Sequence, residues 1–126
     1  MPAKNAFDYA IIRVMPYIER GECLNVGIIL FCRTRRFLAT RLALDPARLL
    51  ALAPEIDLAL IQANLELIPQ ICEGAGPIGR LDQSERFHWL VAPRSTVIQT
   101  SPVHSGVCTD PQVVLDHLVE SLVTVT

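Results

Sequence analysis

Over residues 9–15 apolar side chains alternate along the chain, placing Ala10, Ile12 and Val14 on one face of a predicted strand. Pro16 ends it, because proline has no N–H to give to a ladder. A turn follows at Glu19-Arg20-Gly21-Glu22. Residues 23–32 form a second predicted strand, apolar on both faces at its far end, which assigns it a central place in a sheet. The polar tip Arg33-Thr34-Arg35-Arg36 leads to a third strand over 37–44, and the short connections predict an antiparallel meander.

At Asp45-Pro46 the pattern changes, since an Asp cap followed by Pro at the first helical position starts a helix, here expected over 47–53. A longer helix is expected from Pro54 and Glu55, with Leu58, Ile61, Leu65, Ile68 and Cys72 spaced along one buried face and Pro69 kinking or splitting it near its end. Gly74, Gly76, Pro77 and Gly79 read as the following loop. Residues 87–92 and 97–100 read as strands around a Pro93-Arg94-Ser95-Thr96 turn. Asp110-Pro111 opens a last helix that turns Val114, Leu115, Leu118 and Leu122 inward. The expected class is α+β, a mostly antiparallel sheet of about five strands with helices packed on one face.

Composition bounds this picture. The 126 residues are 51% hydrophobic and 19% charged, which predicts one domain over 1–126 with its core at about 7–122. Such a chain needs no disulfide or metal staple, and its apolarity argues against disorder. No apolar stretch approaches the roughly 20 residues of a membrane span, and Asp8 and Arg13 interrupt the apolar segment near Lys4, against a secretory leader. Cys23, Cys32, Cys72 and Cys108 form no CxxC pair and read as reduced thiols of a cytoplasmic protein. No metal or other cofactor is expected: of His88, His104, Cys108 and His117, only His104 and Cys108 lie at a usable separation, and zinc takes three or four ligands. A formal net charge of -2 weighs against nucleic acid as the general partner, leaving only a local patch.

Candidate chemistry concentrates in residues 85–104. Arg86, Arg94, Ser95 and Thr96 are candidates for holding an oxyanion such as phosphate, with His88 or His104 moving a proton near neutral pH. The plainer alternative is a hairpin whose turn residues satisfy their own backbone. Ser95, Ser101 and Ser105 lack the G-x-S-x-G elbow of a hydrolase nucleophile. Gly74, Gly76 and Gly79 match G-x-G-x-x-G, but a helix rather than a strand precedes them and Pro77 removes an amide, so they read as helix exit and turn. Arg33, Arg35, Arg36 and Arg41 make a basic hairpin able to seat a nucleic-acid backbone or an acidic surface, although no exposed aromatics interleave for base stacking. Asn25-Val26-Gly27 reads as bulge chemistry, while Arg13 and Asn25 are polar groups in otherwise apolar strands and candidates for lining a groove.

The chain resembles the bacterial domain-of-unknown-function 3037 family. The resemblance rests on Phe7-Asp8-Tyr9-Ala10, Ile12-Arg13-Val14, Glu19-Arg20, Asn25-Val26-Gly27 and Leu30-Phe31. It continues in Gly76-Pro77-Ile78-Gly79-Arg80-Leu81, Glu85-Arg86-Phe87-His88-Trp89, Pro93-Arg94-Ser95-Thr96 and Ser101-Pro102-Val103-His104, and covers residues 7–122. It implies no activity, cofactor or catalytic residue, and at most an accessory role beside a kinase of the bacterial toxin type. With no catalytic template met and apolar content high for the length, the expected function is non-catalytic binding of a protein partner or of a second copy. The alternatives are a phosphate or nucleotide binder or small enzyme built on 85–104, and nucleic-acid binding through the Arg33 to Arg41 hairpin.

Overall fold

The computed structural model describes residues 4–94 and 96–124. The meander forms as expected: β1 (Asn5–Val14), β2 (Leu24–Cys32) and β3 (Phe37–Leu42) pair antiparallel in the order β3-β2-β1. The outer edge of β1 is taken by two short strands in tandem, β4 (Ile98–Thr100) against residues 12–14 and β5 (His104–Cys108) against residues 5–9. The result is an α+β domain on a five-stranded antiparallel sheet. The predicted bulge lies where Ile12 faces Gly27 but Arg13 faces Asn25, so that Val26 is an extra residue. The local shift lets Val26 and Ile29 pack in the same core cluster.

Each long helix begins with an aspartate. Asp45 accepts the Ala47 and Arg48 amides to start α1 (Pro46–Leu52), and Asp57 accepts that of Leu60 to start α2 (Leu58–Cys72). Thus α2 begins at this cap and not at Pro54-Glu55. It also runs through Pro69, because a proline in the last turn removes one donor while the Glu73 amide still closes on the Pro69 carbonyl. A single turn, α3 (Gly76–Gly79), interrupts the expected loop.

Two expectations are corrected here. Residues 87–92 are not a strand: 87–91 belong to α4 (Gln83–Val91) and Ala92 is its C-cap, while the N-cap is the Asp82 carboxylate accepting the Glu85 amide. Phe87 and Leu90, three apart, are its buried positions, so the alternation of Phe87 and Trp89 was a helical pattern seen over too short a window. Pro93, Arg94 and Thr96 therefore lie between a helix and a strand and not in a hairpin turn. Strand β5, whose burial is confined to Cys108 and partly Gly106, has no apolar alternation to predict it.

The helical layer expected on one face is divided between both. On one side Ala10, Ile12, Val14, Ile29 and Phe31 meet Leu49 of α1, Ile61 and Leu65 of α2, and Phe87 and Leu90 of α4. On the other, Ile11, Ile28, Leu30 and Cys32 meet Leu115 and Val119 of α5 (Pro111–Leu122). Alternate residues of the central strands thus feed two cores, which absorbs the apolar run of β2.

Candidate functional site

The segment 85–104 is dispersed by the fold. Arg86 sits in α4 with its Nη1 donating to the Cys72 carbonyl at 2.8 Å and the Ile71 carbonyl at 3.4 Å, where it closes the C-terminal end of α2. Arg94 does the same for α4, donating to Leu90 and Trp89 carbonyls at 3.0 and 2.6 Å while its guanidinium lies 4.5 Å above the Trp89 ring. Thr96 donates its hydroxyl to the Ile98 carbonyl. Ser95 lies outside the described residues. His88 is exposed and edge-on to Phe87. His104, opposite Tyr9 in the ladder and 5.3 Å from its ring, shares the α5 face, whereas Arg94 borders the α2 and α4 face. Arg94 and His104 are therefore on opposite sides of the sheet, and the candidates do not converge on one centre.

The serines have structural partners. Ser105 donates to the Asp8 carboxylate across the β1–β5 pair. Ser101 is buried between β4 and β5, where its hydroxyl oxygen accepts the Ile11 amide at 2.8 Å and its proton goes to the Pro102 carbonyl. The side chain thus supplies the ladder acceptor that the break between the two strands removes. Ser101→Ala is expected to lower stability by about 1–3 kcal/mol, the cost of a buried amide left without its acceptor. Urea denaturation measures it, and a midpoint unchanged from the parent would show that the ladder does not need this hydroxyl.

Burial also disposes of the thiol nearest the arginine cap. It pushes the Cys72 thiol up, against the opposing pull of its contact with Thr40 at 3.2 Å and of the Arg86 charge. On α4, the Glu85 amide holds the Asp82 carboxyl below its usual range, helped by the charges of Arg33 and Arg86, and Asp82 in turn raises Glu85. Among the described residues no group of three or more His, Cys, Asp or Glu side chains is placed to hold a metal ion, and no helix is long and apolar enough to cross a membrane.

Of the polar strand residues, Asn25 serves the α5 layer, together with Arg48 of α1. Asn25 donates to the Leu122 carbonyl at 3.0 Å and Arg48 to that of Val123, so both satisfy the end of α5. In the basic hairpin, Arg35 donates to the Thr109 carbonyl and Arg41 pairs with Asp116 at 3.0 Å.

What the fold does assemble is an apolar groove of about 310 Å³ between α2, the C-terminal end of α4 and β4. Ile61, Ile68, Leu90 and Ile98 line it, with Leu67, Trp89 and Arg94 at its border. Leu67 is 51% exposed and Trp89 42%, large apolar surfaces that the protein's own core leaves in water. The expected helix face accounts only for the buried stripe of α2, which includes Ile61, Leu65 and Cys72. The helix's second stripe, Asn64, Leu67 and Ile71, has the same helical spacing and lines the groove.

A family model described as Protein of unknown function (DUF3037) matches residues 9–123. No curated protein and no solved structure matches the chain.

Proposed function

The chain belongs to this family of unknown function, and we propose that it is a non-catalytic binding module whose groove under Trp89 receives apolar side chains of a partner protein. The observation that carries this reading is the pairing of a preformed apolar groove with Leu67 and Trp89 held half in water at its border. Such a border supplies apolar anchoring area, and Arg94 and Asn64 supply a polar rim that fixes the orientation of a bound segment. The scatter of Arg86, Arg94, His88 and His104 favours binding over catalysis. The unpaired thiols of Cys23, Cys32, Cys72 and Cys108 accord with a reducing compartment, and the cytoplasm is the proposed site of action.

Peptide display against the immobilised native chain tests the proposal. Enriched peptides should carry Leu, Phe or Trp anchors and lose about tenfold or more in affinity on Leu67→Asp, a loss typical of an interface anchor. Leu60→Asp, at a residue 56% exposed outside the groove lining, should leave them bound. An absence of enrichment, or equal binding to the Leu67→Asp protein, overturns the reading.

A further inference from the structure

A second concavity, of about 480 Å³, lies between the β2–β3 hairpin tip and the first turn of α4. Three guanidiniums border it: Arg33 and Arg36 from the tip, and Arg86 from a part of the chain some fifty residues away. Among the described residues that line it, one carboxylate, that of Asp82, accompanies them; it accepts the Glu85 amide and offsets one of the three charges. Like charges gathered in one hollow repel unless an anion joins them.

Two of the three guanidiniums are also unspent, while Arg86 gives its Nη1 to the end of α2. Among the described residues neither the Arg33 nor the Arg36 guanidinium has a hydrogen-bond or ion-pair partner, and the Nε of Arg86 is buried without one. Arg36 stands at φ 49, a left-handed turn position that glycine or asparagine fills with less strain. The local backbone therefore gives no reason for an arginine there, and the hollow does. Gln83 donates to the Arg36 carbonyl at 2.9 Å and pins the backbone of the tip to α4, which fixes where the Arg36 side chain starts but leaves its guanidinium free to meet a ligand. An adjoining hollow of about 230 Å³ shares Phe31, Arg33 and Ser84 and extends to His88 and Asp8.

We infer that these joined hollows are a binding site for a small phosphate monoester, its phosphate held by Arg33, Arg36 and Arg86 and its organic group lying toward Phe31 and His88. Guanidiniums suit phosphate because their forked N–H groups meet two oxygens at once. Ser84 is common to both hollows and so lies at the junction where the ester would join its organic part. This site is separate from the groove under Trp89 and does not depend on that reading.

The test is an amide and arginine side-chain NMR titration of the full chain with inorganic phosphate and with adenosine monophosphate, at constant ionic strength set by chloride. Saturable shifts at Ser84, Glu85 and Arg86 are expected, with the nucleotide binding more tightly than phosphate alone. Arg36→Gly should weaken binding about tenfold, as loss of a charge-assisted contact does, while raising the melting temperature by relieving the turn. A purely structural arginine would not move both in those directions. Shifts reproduced by chloride alone, or unchanged affinity in both Arg33→Ala and Arg36→Gly, overturn the site. Nucleotide binding no tighter than inorganic phosphate overturns the part assigned to Phe31 and His88. An RNA oligonucleotide bound more tightly than the monophosphate, with a salt dependence of several released counterions, would replace the small ligand by a nucleic-acid backbone.

Discussion

Leu115→Ala is expected to destabilise the protein by about 2–5 kcal/mol, as much as Leu65→Ala on the opposite side of the sheet. Both side chains are 2% exposed, Leu115 in the α5 layer against Ile28 and Leu30, and Leu65 in the α2 layer against the other face. β1 and β2 send alternate residues into each layer, so neither core can loosen without disturbing strands that the other requires. Urea denaturation followed by circular dichroism and by Trp89 fluorescence measures the loss and its cooperativity together. Trp89 stands on α4, away from α5. If the layers are one cooperative unit, the two signals of Leu115→Ala shift together to lower urea. A loss below about 1 kcal/mol, outside the range for a leucine truncated in a packed core, would mean that α5 docks as a loose flap. Separate transitions for the two signals would say the same.

The strands that carry these layers were legible where the apolar pattern was long. Seven or more residues of alternation fixed β1, an all-apolar run fixed β2 as central, and Asp-Pro at 45–46 and 110–111 marked two helix starts that the structure keeps. Residues 87–92 misled because six positions with Phe87 and Trp89 two apart satisfy both periods. The deciding signal lay upstream, in Asp82 and Glu85 three residues apart. Strand β5 was invisible because an edge strand buries little, and a sequence such as His104-Ser105-Gly106 carries no face. Nor does periodicity say which face of a sheet a helix covers, so the placement of α5 waited on the fold. Site residues suffered most. An arginine reads alike whether its guanidinium awaits an anion or closes a helix, and Arg94 proves to do the latter for α4. Arg33, Arg36 and Arg86 meet only through the hairpin's return onto α4, a contact made by Gln83 that no local pattern announces.

The glycines between α2 and α4 lead to the second large effect. Gly74, Gly76 and Gly79 share the spacing of a dinucleotide-binding loop, yet each is explained by its own backbone environment. Gly74 and Gly76 have φ of 102 and 72, reversing the chain after α2, where the Gly74 and Ala75 amides close on Ile71 and Gln70 carbonyls. Gly79 has no such angle; a Cβ there would stand 2.3 Å from the carbonyl carbon of Gly74 and 2.6 Å from its oxygen. Both are backbone atoms and cannot swing aside as a side-chain tip would. Gly79→Ala is therefore expected to lose about 3 kcal/mol or more, at or beyond the upper end of ordinary overpacking. Gly76→Ala, with nothing within 4 Å of its added carbon, should lose only about 1–2 kcal/mol from the left-handed backbone. The clash also pushes α3 off the end of α2, the point at which Arg86 caps Ile71 and Cys72, so the Gly79→Ala protein should lose ordering of α4 as well. Amide exchange over residues 83–91 reads that consequence directly, and equal stability of the two alanine variants would remove close packing as the reason for Gly79.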